Sequence, residues 1–76
     1  MWEREFDKRK AVLAANIKTI RLEKGLAQER LALEAGVDRT LVSKIERQIA
    51  NPSLEILVKL ALTLKVSVTT LLSDKK

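Results

Sequence analysis

Residues 28–51 read QERLALEAGVDRTLVSKIERQIAN, and this stretch decides the fold. Two short periodic runs flank a single glycine. In the first, Gln28–Ala35, the residues Leu31, Ala32 and Ala35 share one helical face, and the small alanines let a neighbouring helix approach closely. Gly36 supplies the positive φ of a sharp turn, and Val37 plugs the corner. Asp38 suits the N-cap of a second helix, Arg39–Arg47. That helix turns Val42 and Ile45 inward. Thr40, Ser43, Lys44 and Arg47 recur at i, i+3, i+4 and i+7 on the opposite face, which is polar and cationic.

Upstream, Trp2 and Phe6 stand four residues apart, and Leu13, Ile17 and Ile20 continue their stripe. This predicts a helix from about Glu5 to Lys24. Gly25 stops it in the manner of a left-handed C′ residue, and Arg21 and Lys24 suit the negative end of its dipole. Trp2 has two readings. It covers apolar surface, on the body or on a partner subunit, or it belongs to an arm that touches DNA. Glu3, Glu5 and Asp7 would be repelled by phosphates, which favours the first.

Downstream, Gln48–Pro52 is a loop. Ser53 caps a helix over Leu54–Leu64, with Leu54, Leu57, Leu60, Ala61 and Leu64 as its core stripe. Ile56, Val58 and Leu62 are apolar too. A domain of this size buries only about 60% of its unfolded surface, so part of that helix is expected to be an interface. Ser67 caps a last helix, Val68–Leu72. The chain is thus expected to be all-α with five helices. Residues 1–12 extend the first helix, 13–72 form the domain, and 73–76 are a frayed charged tail.

Composition narrows the function classes. The chain has 76 residues, the length of one domain, with 15 Lys/Arg against 10 Asp/Glu. Residues 1–38 hold eight basic and seven acidic side chains, whereas residues 39–76 hold seven and three. The second half is the basic one, which permits a nucleic-acid partner without demanding it. Cys and His are both absent, removing disulfides, thiolate metal sites and the commonest general base. No arrangement of Ser, Lys or carboxylates suggests catalysis, and no Gly-rich loop cradles phosphate. A non-enzyme without metal, cofactor or small-molecule effector is expected. No apolar run approaches the ~20 residues that span a bilayer. The charged N-terminus is no secretory signal, so a cytoplasmic location is expected.

On the cationic helix, Arg39 and Lys44 can donate to guanine O6/N7, and Thr40 and Ser43 can contact several bases. Taken alone, such a face is equally well an ordinary solvated surface. The order of features decides between the two. Asn16–Arg47, NIKTIRLEKGLAQERLALEAGVDRTLVSKIER, and Asn51–Leu72, NPSLEILVKLALTLKVSVTTLL, resemble the Cro/phage-repressor type of helix-turn-helix domain, also called the xenobiotic-response-element type. The resemblance covers about 60 of the 76 residues.

It implies a compact five-helix, lambda-repressor-like fold and a homodimer on double-stranded DNA, with operator half-sites about one helical turn apart. By resemblance, Arg39, Thr40, Ser43 and Lys44 take the base-edge positions, with Leu41 at their border. Gln28, Arg47 and the loop through Asn51 take phosphate positions. Arg21 and Glu46 form a structural ion pair. Residue patterning agrees, since Glu46 lies beside Ile45 on the inner side of a cationic helix and needs a partner.

The sequence departs from the family pattern at four places. Ala27 replaces a Ser or Thr N-cap. Gln48 and Lys65 stand where glycines are common, which predicts left-handed backbone at both. Ile49 replaces a polar loop residue. With Ile56, Leu62 and Val68 it is a candidate dimer contact. Glu29, Glu34 and Asp38 read first as dipole and capping residues, and the resemblance offers contact with RNA polymerase as their second reading.

A sequence-specific regulator is therefore expected. The chain leaves no room for an effector domain, so control by its own concentration is expected, as in phage Cro-like repressors and the controller proteins of restriction–modification systems. The competing class is a protein-interaction adaptor or antitoxin-like module on the same fold. It would use the greasy fourth helix and would not need Arg39 and Lys44.

Overall fold

Acidic residues in the first turn and cationic ones three and four places on extend the first helix to the start of the chain. Glu5 meets Arg9 at 2.8 Å and Asp7 meets Lys10 at 3.8 Å, and Glu3 and Glu5 suit the positive end of the dipole. In the computed structural model, which describes residues 1–74, α1 spans Trp2–Glu23. It begins three residues earlier than the apolar stripe alone predicts. α2 is Gln28–Ala35, α3 is Leu41–Glu46, α4 is Leu54–Leu64 and α5 is Val68–Leu72. Among the described residues there is no strand, and no helix is long and apolar enough to cross a membrane.

The core follows the predicted periodicities. Leu13 and Ile17 of α1 meet Leu31 and Ala32 of α2, Val42 and Ile45 of α3, Leu57, Leu60, Ala61 and Leu64 of α4, and Leu71 of α5. α1 packs against α3 and α5, and α2 against α3 and α4. Leu54 departs from expectation. It is 70% exposed, being the first residue of α4, a full turn before the buried run begins.

Four helix ends close in the same way. The left-handed residue is Gly25 (φ 69°), Gly36 (φ 73°), Gln48 (φ 64°) or Lys65 (φ 62°). The amide after each reaches back five residues: Leu26 to Arg21 at 3.1 Å, Val37 to Ala32, Ile49 to Lys44 and Val66 to Ala61, each at 3.0 Å. These are Schellman closures, which satisfy carbonyls a helix end would otherwise orphan. Leu26, Val37 and Val66 then fold onto the core. Ile49 does not, and stays 63% exposed.

Ser53 and Ser67 cap α4 and α5 as expected, accepting from the amides of Ile56 (3.2 Å) and Thr70 (3.0 Å). Ala27 leaves α2 without a side-chain cap. The C-terminal end of α5 is held by α1. Arg9 Nη1 donates to the Leu72 carbonyl at 2.6 Å, and Asn16 Nδ2 lies 2.9 Å from the Leu71 carbonyl and 2.8 Å from that of Ser73. Asp74 pairs with Lys8 at 3.3 Å and Arg9 at 3.5 Å. The predicted frayed tail is thus anchored through Asp74, and its last two residues lie outside the described ones.

Candidate nucleic-acid interface

The cationic face is built on a turn tighter than its sequence suggests. Asp38 Oδ1 accepts from the Thr40 amide (2.8 Å) and the Thr40 hydroxyl (2.6 Å). The Leu41 amide donates to the Asp38 carbonyl at 3.0 Å, an i→i+3 closure. Regular helix therefore begins at Leu41 and ends at Glu46, shorter than the predicted Arg39–Arg47. Arg39 and Thr40 sit on the lead-in turn, and Arg47 is the C-cap.

These contacts stabilise the Asp38 carboxylate. The Thr40 hydroxyl, then the Thr40 amide, lower its pKa from the ordinary value, and the charges of Lys44 and Arg39 add to this. The Thr40 proton is engaged by Asp38, so this side chain offers outward a methyl group and an acceptor oxygen. Ser43 Oγ accepts from Arg47 Nε at 3.3 Å, so Arg47 lies back along the helix. Arg39 and Lys44 are exposed, and among the described residues neither side chain has a hydrogen bond or ion pair.

Behind this face, three helices are joined by one carboxylate. Arg21 Nε and Nη2 donate to the two Glu46 oxygens at 2.7 and 3.1 Å, and Arg21 Nη1 donates to the Leu26 carbonyl at 2.8 Å. Gln28 Nε2 donates to Glu46 Oε1 at 2.9 Å. The Arg21 and Glu46 side chains are 9% and 7% exposed. The expected ion pair is present, and Gln28 is its third member. Gln28 gives one amide hydrogen to this network.

Asn51 is exposed and lines a cleft beside Phe6, Lys10, Pro52 and Leu72. None of those neighbours belongs to the expected DNA face. The four expected dimer residues divide. Ile49 and Leu62 are 63% and 73% exposed, but Ile56 and Val68 pack against the core. Val58, one of the surplus apolar residues of α4, is 40% exposed as expected, whereas the exposure of Leu54, placed in the core stripe, and of Leu22 and Leu33 was not foreseen. Leu54, Val58 and Leu62 recur every four residues along one side of α4. That α4 carries too many apolar residues was legible, but which of them turn outward depends on where α2 and α5 cover it. Among the acidic residues, Glu34 pairs with Arg30 at 2.8 Å.

The helix-turn-helix family profile matches residues 17–71. The chain belongs to this family. Its relatives are transcriptional regulators rather than enzymes. A hypothetical transcription factor of Neisseria meningitidis is 44% identical over 63 residues, which are 83% of this chain and 59% of the relative. Its crystal structure has a TM-score of 0.83, covering 86% of this helix-turn-helix chain and 75% of that one. The regulator SinR of Bacillus subtilis is 43% identical over 65 residues, 84% of this chain and 59% of SinR. A SinR structure in complex with DNA superposes with TM-score 0.76, at 44% identity, over 80% of this chain and 98% of that chain. The restriction–modification controller protein C.AhdI of Aeromonas hydrophila superposes with TM-score 0.78, at 35% identity, over 82% of this chain and 94% of its own. The chain thus spans about three fifths of the length of the Neisseria factor and SinR.

Proposed function

We propose that this helix-turn-helix chain is a sequence-specific transcriptional regulator that binds a pseudo-palindromic operator as a homodimer. The observation that carries the reading is the contrast within α3 and its lead-in turn. Its inner side is pinned by Arg21, Gln28 and Glu46, while Arg39 and Lys44 stand exposed without a partner. Free cations on a rigid mount are what base and phosphate contact requires. Arg39, Lys44, the Thr40 methyl and the Ser43 hydroxyl read base edges. Arg47 and the other Gln28 amide hydrogen bind phosphate. Asn51, turned toward α1, takes at most an edge contact with the backbone.

For the second copy, the exposed stripe Leu54–Val58–Leu62 and the neighbouring Ile49 supply an apolar face on α4. Regulation by the protein's own concentration, as for a controller protein, follows from dimerisation coupled to operator occupancy. The acidic residues of α2 serve the helix first, and contact with RNA polymerase is secondary.

The test is selection of bound duplexes from a random library at fixed, moderate salt. Enrichment of a palindrome with half-sites about 10 bp apart supports specific dimeric docking. Binding that is salt-sensitive but without enrichment would overturn the reading and favour the adaptor alternative, which the same α4 stripe could serve.

A further inference from the structure

Trp2 is 63% exposed, and its ring lies beside that of Phe6 at a centroid distance of 6.0 Å. Phe6 forms one wall of a cleft of about 150 Å³, with Leu13, Leu57 and Leu72 as apolar lining and Lys10 beside them. A mostly apolar space of this size accepts a benzene-sized ring. Lys10 Nζ stands 4.7 Å from the Phe6 ring centroid, already in cation–π position for an aromatic arriving there.

We infer that the occupant of this cleft is Trp2 of a second copy of the chain. Spacing and charge both point to a reciprocal contact. Phe6 lies midway between Trp2 and Lys10 on α1, four residues or ~6 Å from each. If two α1 helices pack antiparallel about a two-fold axis at Phe6, each Trp2 falls opposite the other's Lys10, at the mouth of its cleft. Such a contact is isologous and self-limiting. The first two turns carry Glu3, Glu5 and Asp7 against Arg4, whereas the next turn carries Lys8, Arg9 and Lys10. An antiparallel crossing sets Glu3 of one copy near Arg9 and Lys10 of the other, beside the Trp2–Phe6 face, while Glu5 and Asp7, which meet across it farther to the side, are each paired within their own chain with Arg9 and Lys10. A parallel crossing sets like charge against like.

The contact is a small one. Even full burial of two Trp–Phe pairs, at roughly 150–250 Å² per ring, stays below what a stable interface buries, so the contact is a weak one. It therefore joins molecules that are already concentrated, such as regulators on neighbouring sites. It uses neither the α4 stripe nor the base-reading residues of α3 and its lead-in turn, so its failure leaves the operator reading untouched.

The chain has one Trp and no Tyr, so its intrinsic emission reports on Trp2 alone. The experiment follows emission wavelength and acrylamide quenching of the full chain as protein concentration rises. We expect a shift to shorter wavelength and falling quenching. Lys10→Glu and Glu3→Lys should each abolish the change, and the two together in one chain should restore it. Circular dichroism checks that these surface variants stay helical. Emission and quenching that ignore concentration would overturn the inference. So would a shift that Lys10→Glu leaves intact, which would place the indole elsewhere.

Discussion

Arg21 holds Glu46 through two N–H···O contacts on the two carboxylate oxygens, at 2.7 and 3.1 Å, with both side chains withdrawn from water. The pair links α1 to α3, and Gln28 adds α2 through the same carboxylate. Removing one member of such a pair strands a buried charge, at roughly 3–5 kcal/mol. We expect Glu46→Ala to lose stability on that scale in urea denaturation. Arg21→Met combined with Glu46→Leu should recover much of it, because neither charge then remains. A double variant as unstable as Glu46→Ala would show that the loss comes from packing rather than from charge.

The left-handed residues Gln48 and Lys65 predict the opposite sign. A side chain at positive φ costs about 1 kcal/mol that glycine avoids. Gln48→Gly and Lys65→Gly should each raise the denaturation midpoint. For a domain of this size, 1 kcal/mol corresponds to about 4–8 °C in Tm. Unchanged midpoints for both would mean that these positions are unstrained.

Asp38 sets an acid-side dependence. Folding lowers its pKa, first through the Thr40 hydroxyl and then through the Thr40 amide. The native state therefore binds this proton more weakly than the unfolded chain. The contribution is present above the unfolded value, about 3.9, and is lost as pH falls through the lower, folded value. An NMR titration of the Asp38 carboxyl should find its midpoint below that of an unstructured Asp, and Thr40→Val should move it back upward. A midpoint unmoved by Thr40→Val would remove the hydroxyl from the account.

Lys44 and Arg47 separate the two kinds of DNA contact. Lys44→Ala should cost about 1–3 kcal/mol at the selected site and relax one base position. Arg47→Ala, which also frees Ser43, should weaken all duplexes alike and flatten the salt dependence. Equal losses on selected and random DNA for both variants would sink this division of roles.

For the α4 stripe, Leu62→Glu should leave a folded monomer that binds the operator weakly. Sedimentation is the check, and a variant that remains dimeric would move the interface away from α4.

The sequence was most legible where one physical signal governs an element. α2, α4 and α5 have the predicted bounds because a run at helical spacing meets a terminating glycine at Gly36 in α2 and a serine cap at Ser53 and Ser67 in α4 and α5. That Glu46 needs a cation was readable from its place on an inward face, and the resemblance named Arg21 as that cation. The start of α3 was not, since Asp38 looks the same whether it opens a regular helix or a tight turn. Ile56 and Val68 show a different limit. Composition says that α4 and α5 have apolar surface to spare, but only the placement of neighbouring helices says which residues are left outside. Trp2 belongs with them, standing 63% exposed beside Phe6.

The two exposed cations that lack intramolecular ties, Arg39 and Lys44, carry an evolutionary consequence. Neither side chain is tied by a hydrogen bond or ion pair, and their charges are only minor contributors to the stability of the Asp38 carboxylate, so either can mutate at little cost to the fold. Thr40 and Ser43 are less free, each being tied to a neighbour. Drift toward new binding preferences should therefore run first through positions 39 and 44, and a designer retargeting this scaffold could begin with a library at those two sites.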